Sequence, residues 1–175
     1  PWIVSPVYAR CKSTCSSLTA GLRKALARSG LGASEYRVAS FSFDPQETAA
    51  QLQTFRTHLD LPRTWLTLRA VDQADLARTL AALDFRTITT DDGEFQHPNL
   101  IAILTPDLRL AGYLFGVEFS PTEIADAVRR ARTGAIVSRS RWPLFLVAAV
   151  GFGISSVVFL VLVMRRRRGS QQPEG

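Results

Sequence analysis

The sequence predicts an α/β domain, a mixed sheet flanked by helices, followed by a single C-terminal transmembrane helix. Three observations predict it. Short β-prone apolar runs alternate with amphipathic helical runs along residues 1–134. The last two apolar runs of that region are joined by Pro106 and Asp107 as a hairpin instead of by a helix. Finally, residues 143–164, "PLFLVAAVGFGISSVVFLVLVM", carry no charge. Crossover helices demand parallel neighbours and a hairpin demands an antiparallel one, so the sheet is mixed, with helices on both faces.

Each element has its own signal. Trp2 to Tyr8 is mostly apolar and reads as a buried strand running straight into Arg10 and Cys11. After Cys15, "SSLTAGLRKALARSG" sets Leu18, Leu22, Ala25 and Leu26 on one helical face, with Gly30 and Gly32 as the stop. "YRVASFSFDP" alternates along a second strand that Asp44 and Pro45 end, and "QETAAQLQTFRTHLDL" reads as a helix. "TWLTLRA" is a short strand, and Asp72 caps a third helix, "QADLARTLAAL". The polar "RTITTDDGEFQ" is expected to be a loop. "HPNLIAILT" and "RLAGYLFG" form the hairpin. The last helix, "SPTEIADAVRRARTG", opens with Ser120 as N-cap, Pro121 at the first helical position and Glu123 three residues past the cap.

The chain carries a net charge of +6, but residues 1–134 hold 15 basic and 14 acidic residues, a balance of +1, and residues 135–175 hold six and one, a balance of +5. Basicity therefore belongs to the tail, and with no basic stripe or interleaved aromatics on the globular part, nucleic-acid binding has no support. The apolar run is long enough for the roughly 30 Å hydrocarbon core, and it is flanked by Trp142 on one side and Arg165 to Arg168 on the other. The organisation expected is a domain over 1–134, a linker over 135–142, a membrane span over 143–164 and a basic cytoplasmic tail over 165–175. The four arginines after the span favour a cytoplasmic C-terminus, which puts the domain on the extracytoplasmic, periplasmic side of a cell inner membrane, although Arg139 and Arg141 pull the other way. The sequence opens on Pro1 and directly on a strand, so an upstream segment, a signal sequence and an initial hairpin, is expected.

The chain has two cysteines, Cys11 and Cys15, four apart between the first strand and the first helix. That is where a thioredoxin-like fold keeps its active thiols. A helix N-terminus favours a thiolate, and Cys15 is the better placed of the two, with Arg10 and Lys12 flanking Cys11. The pair could close a disulfide or hold one metal ion, and spacing does not choose between them. Two thiolates suit copper(I) or zinc, and one imidazole would complete a three-coordinate set able to hold copper in either oxidation state. Of the two histidines, His97 precedes the strand that could project it toward the thiols, whereas His58 lies late in a helix beside Asp60 and reads as a solvated or capping side chain.

The runs "YARCKSTCSSLTAGL", "VASFSFDP" and "DGEFQHPNLIAILTPDLRLAGYLFG" together resemble the Sco/SenC family of thioredoxin-like, copper-binding proteins involved in cytochrome c oxidase assembly. The resemblance covers about residues 1–134 and implies one copper ion bound by Cys11, Cys15 and His97. It implies that Asp44 supports the metal ligands or shapes the site, and that a cytochrome oxidase subunit or another cuproprotein is the client. Ser16 stands where family members usually carry proline, and the anchor is C-terminal instead of N-terminal, which points to a divergent branch. Two other readings stand beside copper delivery. In one, Cys11 and Cys15 are the catalytic pair of a thiol-disulfide oxidoreductase that keeps a partner's metal-site cysteines reduced, and His97 is dispensable. In the other they form a structural disulfide, although so short a loop constrains the unfolded chain weakly.

Overall fold

The computed structural model describes residues 1–134 apart from Lys12 and Asp92. The expected linker over 135–142, the membrane span over 143–164 and the tail over 165–175 lie outside the described residues, and among those described no helix is long and apolar enough to cross a membrane.

The strands are β1 (Trp2–Val7), β2 (Arg37–Ser42), β3 (Trp65–Arg69), β4 (Ile88–Thr89), β5 (Phe95–Gln96), β6 (Leu100–Leu104) and β7 (Leu110–Phe115). The helices are α1 (Cys15–Arg28), α2 (Ala49–His58), α3 (Gln73–Ala82) and α4 (Pro121–Arg132). Five strands make one sheet in the order β3-β2-β1-β6-β7. β1, β2 and β3 are parallel, and β6 and β7 run antiparallel to their neighbours. Parallel crossovers and a hairpin thus produce the mixed sheet their connections require.

β1 is central, with Ile3 and Val7 wholly buried. It pairs with β2 along its whole length but with β6 only from Trp2 to Val4. Pro6, which has no N–H to give, sits in the half where β2 alone remains paired. Beyond that point the cysteine-bearing end of β1 forms no ladder with β6. Because β6 is antiparallel to β1, the chain enters β6 at this same rim of the sheet.

The helices begin where their caps predict. Asp72 accepts from the Asp75 amide at 2.7 Å, and Ser120 accepts from that of Glu123 at 3.5 Å. The second helix is shorter than the expected 46–61. Thr48 and Gln51 form a reciprocal capping box that starts it at Ala49, which leaves Pro45, Gln46 and Glu47 in a turn closed by the Glu47 amide on the Asp44 carbonyl. α1 packs on α4, and Arg23 of α1 reaches the Asp60 carboxylate just past α2 at 3.2 Å. Gly21 permits the close approach of the β7–α4 loop to α1, since a Cβ there would stand 2.1 Å from the Val117 carbonyl oxygen.

One expectation is corrected. The polar stretch 86–96 is not all loop: Ile88–Thr89 pairs antiparallel with Phe95–Gln96 as a separate two-stranded sheet. The β-branched Ile88 and Thr89 favour extended backbone. The tip closes through the Thr90 amide on the Glu94 carbonyl at 2.8 Å, with Gly93 supplying the positive φ of 77° the turn needs.

Candidate functional site

The two thiols meet at the C-terminal rim of β1, and helix geometry is not what joins them. Cys11 lies outside α1. It closes a turn whose central residues are Ala9 and Arg10, with its amide on the Tyr8 carbonyl at 3.2 Å. Cys15 is the first residue of α1. Both thiols are free, Cys11 partly exposed and Cys15 buried at 2%.

Their electrostatics differ in the opposite sense to the expectation from the helix N-terminus. Burial works against the Cys11 thiolate, but the amides of Cys15 and Ser13 and the side chains of Cys15 and Tyr8 hydrogen-bond the sulfur and together hold the thiol below its ordinary value of 9.0. The Ser13 amide lies 3.4 Å from that sulfur. Cys15 is pushed well up, by burial above all and also by Cys11 and Glu47, with the Tyr8 backbone opposing. The amides at the start of α1 therefore serve Cys11, and Cys15 keeps its proton. Lys12 lies outside the described residues.

Asp44 and Glu47, on the turn after β2, face the thiol loop. Asp44 Oδ2 accepts from Arg10 Nε at 2.6 Å, and the Asp44 side chain is 1% exposed. Its other oxygen takes the Gln46 amide at 2.9 Å. Asp44 thus holds the residue next to Cys11. Glu47, also buried, accepts the Ala9 amide at 2.5 Å and the Ser42 hydroxyl at 3.0 Å on Oε2.

His97 lies between β5 and β6, in the segment that arrives at the same rim. The pleat sends Tyr8 and Phe43 to one face of the sheet, their rings 5.3 Å apart. There the His97 ring packs 5.0 Å from Phe43, 5.9 Å from Phe85 and 6.1 Å from Tyr8, with Nδ1 at 3.1 Å from the Pro98 carbonyl. Two hydrogen bonds tie this segment to the thiol loop on either side of His97: Tyr8 Oη donates to Glu94 at 2.6 Å, and Thr14 Oγ1 to Asn99 at 2.8 Å. Burial and the bonds to Glu94 and Cys11 push the Tyr8 phenol far up, so it remains a donor. Among the described residues no three His, Cys, Asp or Glu side chains stand grouped to hold a metal ion. The two sulfurs are assembled, and the imidazole is seated in the neighbouring aromatic cluster. His58 ends α2 and is exposed, beside a surface cavity of about 340 Å³ that Arg10 and Ser16 also line.

Tyr8 and Glu47 escaped the sequence reading. Tyr8 reads there only as the end of an apolar strand, and Glu47 as the start of a helix. The Thr48–Gln51 capping pattern was the available signal that Glu47 stands before the helix.

No relative was found among curated proteins. Among solved structures, a candidate electron transfer protein from Aquifex aeolicus VF5 is 32% identical, with a TM-score of 0.71 over 75% of this chain and 78% of that one. ScoI of Bradyrhizobium japonicum, solved with copper bound, is 21% identical with a TM-score of 0.59, over 74% of this chain and 83% of that one. BsSco, described as having a disulfide switch and as a member of the Sco family of cytochrome c oxidase assembly proteins, is 22% identical with a TM-score of 0.61, over 75% of this chain and 80% of that one. These likenesses agree with a thioredoxin-like fold. The SCO1/SenC family model matches residues 1–133, nearly the whole described domain, and the chain belongs to that family.

Proposed function

We propose that the chain is a membrane-anchored copper-binding protein that delivers copper during cytochrome c oxidase assembly, from the periplasmic side of the inner membrane. The observation that carries this reading is the paired thiols at the sheet rim, in a chain of this family, with an imidazole-bearing segment tied to the same loop. The donor set suits the cargo: two sulfurs are soft ligands for copper(I), and an imidazole accommodates either oxidation state. Cys11 and Cys15 bind as thiolates and His97 through one neutral ring nitrogen. Cys11 loads first, because its thiolate is already favoured, and Cys15 gives up its proton only on binding. Tyr8, whose hydroxyl is committed to Glu94, stands beside the Cys11 thiol, and Asp44 holds Arg10, the residue before Cys11. The 22-residue apolar span anchors the domain, and the arginines after it stay in the cytoplasm.

The test is copper(I) titration of the reduced, anaerobically purified chain and of Cys11→Ser, Cys15→Ser and His97→Ala. Each variant is expected to lose stoichiometric binding while its circular dichroism is kept, and unchanged binding in any one of them would reject the three-ligand set.

One observation favours a second reading. A partly exposed thiol held below its ordinary pKa beside a buried, protonated one is the arrangement of an attacking and a resolving cysteine. A thiol-disulfide oxidoreductase acting on the metal-site cysteines of a partner would keep its activity in His97→Ala, which copper delivery would not.

A further inference from the structure

The turn that ends at Cys11 is held at both of its central residues by the turn facing it. Arg10 is tied through its side chain to Asp44, and Ala9 through its backbone amide to Glu47. The two ties differ in kind. Arg10 is 43% exposed, so its bond competes with water and depends on a long flexible side chain. Glu47 is 3% exposed, and its bond falls on the main chain two residues before Cys11. Being buried, this bond does not compete with water.

Glu47 is itself fixed. Its Oε2 also takes the Ser42 hydroxyl, and its own amide closes the turn on Asp44. Its Oε1 finds no protein partner among the described residues, and Glu47 lines a cavity of about 120 Å³ with Asp44, Arg69 and Asp72, polar and large enough for water. A carboxylate is costly to bury, and here the oxygen with protein partners is the one that reaches the thiol loop.

We propose that Glu47 is the positioning residue of the dithiol: through the Ala9 amide it holds the Tyr8–Cys11 turn in the place that keeps Cys11 beside Cys15 as separate thiols, and so biases the pair against disulfide formation. Closing the disulfide draws the sulfurs to about 2.05 Å, which pulls on the turn that Glu47 holds. In the oxidation, Cys11 and Cys15 lose two protons and two electrons and one S–S bond forms. A disulfide such as oxidised glutathione takes them up as its own S–S bond breaks to two thiols.

The inference rests on Cys11 and Cys15 being the working pair, but its test uses no copper, so loss of copper binding would leave it standing and its own failure would leave copper delivery standing. The equilibrium between dithiol and disulfide is measured against glutathione buffers on the full chain in detergent. Glu47→Asp keeps the charge but falls short of Ala9, and Glu47→Ala removes both. Each should move the equilibrium about tenfold toward the disulfide, equivalent to about 30 mV. Glu47→Gln keeps the acceptor oxygen and should stay within about twofold of wild type, equivalent to about 9 mV. An unmoved Glu47→Asp, or a Glu47→Gln moved as far as Glu47→Asp, would overturn the proposal. That pair decides the matter even if Glu47→Ala does not fold.

Discussion

Raising the pH from 7 to 10 should cost the wild-type domain more stability than a Cys15→Ala domain. Cys15 is 2% exposed, and burial leads the causes that keep its thiol protonated far above the ordinary 9.0. In the unfolded chain the same thiol ionises near 9.0, so above that pH the unfolded state binds fewer protons than the folded one and stability falls as pH rises. Cys11 carries the opposite sign. Its folded pKa is depressed, so its contribution is present above the unfolded value and is lost as pH falls through the folded one, and it adds nothing to the alkaline loss. For a thiol that ionises only when unfolded, the loss between pH 7 and 10 comes to about 1.4 kcal/mol, most of it above pH 9. Alanine is the right replacement because serine would bury a hydroxyl. Urea unfolding of residues 1–134 under a phosphine reductant, followed through the buried Trp65, gives the stability at each pH. Equal losses in the two proteins, within about 0.3 kcal/mol, would mean that Cys15 ionises as readily folded as unfolded, and the assignment of a protonated resolving thiol would fail. Tyr8, whose phenol is also pushed up, contributes to both proteins alike.

Alkylation of the native reduced chain with iodoacetamide near neutral pH should label Cys11 and spare Cys15, with the Cys11 rate reaching half its maximum below pH 9.0, and equal labelling on mass analysis would contradict the asymmetry. Gly21→Ala puts a Cβ 2.1 Å from the Val117 carbonyl oxygen and should lower the unfolding free energy by at least about 2 kcal/mol, read from the urea midpoint, whereas a neutral result would mean the β7–α4 loop yields freely.

The frame was legible because it rests on short-range signals. The strand and helix periods, the Asp72 and Ser120 caps and the hairpin at Pro106–Asp107 all act within a few residues. So was the dithiol's place between β1 and α1. The polarity of the two thiols was not legible, because it depends on which sulfur the fold buries. A cysteine at a helix start reads as the activated one, yet the amides there reach Cys11 while burial claims Cys15. Glu47 was hidden for a similar reason. Its importance comes from Ala9, 38 residues away in the chain, and only the parallel pairing of β1 with β2 brings the two turns face to face. His97 was legible from its place before β6 together with the resemblance, but its seat among Phe43, Phe85 and Tyr8 follows from side chains that the sequence scatters over three separate connections.

The partial pairing of β1 has a consequence for how such a domain could diversify. β6 lets go of β1 beyond Val4, and the residues leading into β6 must then pass over the thiol end of β1 whatever their identity. Lengthening or recomposing the stretch from Thr90 to Asn99 would leave every rung of the five-stranded ladder in place while changing the side chains that pack beside the thiol loop. The surroundings of the thiols and the main sheet are in this way uncoupled, since these ten residues carry β5 and the ties to Tyr8 and Thr14 but no strand of the five-stranded ladder.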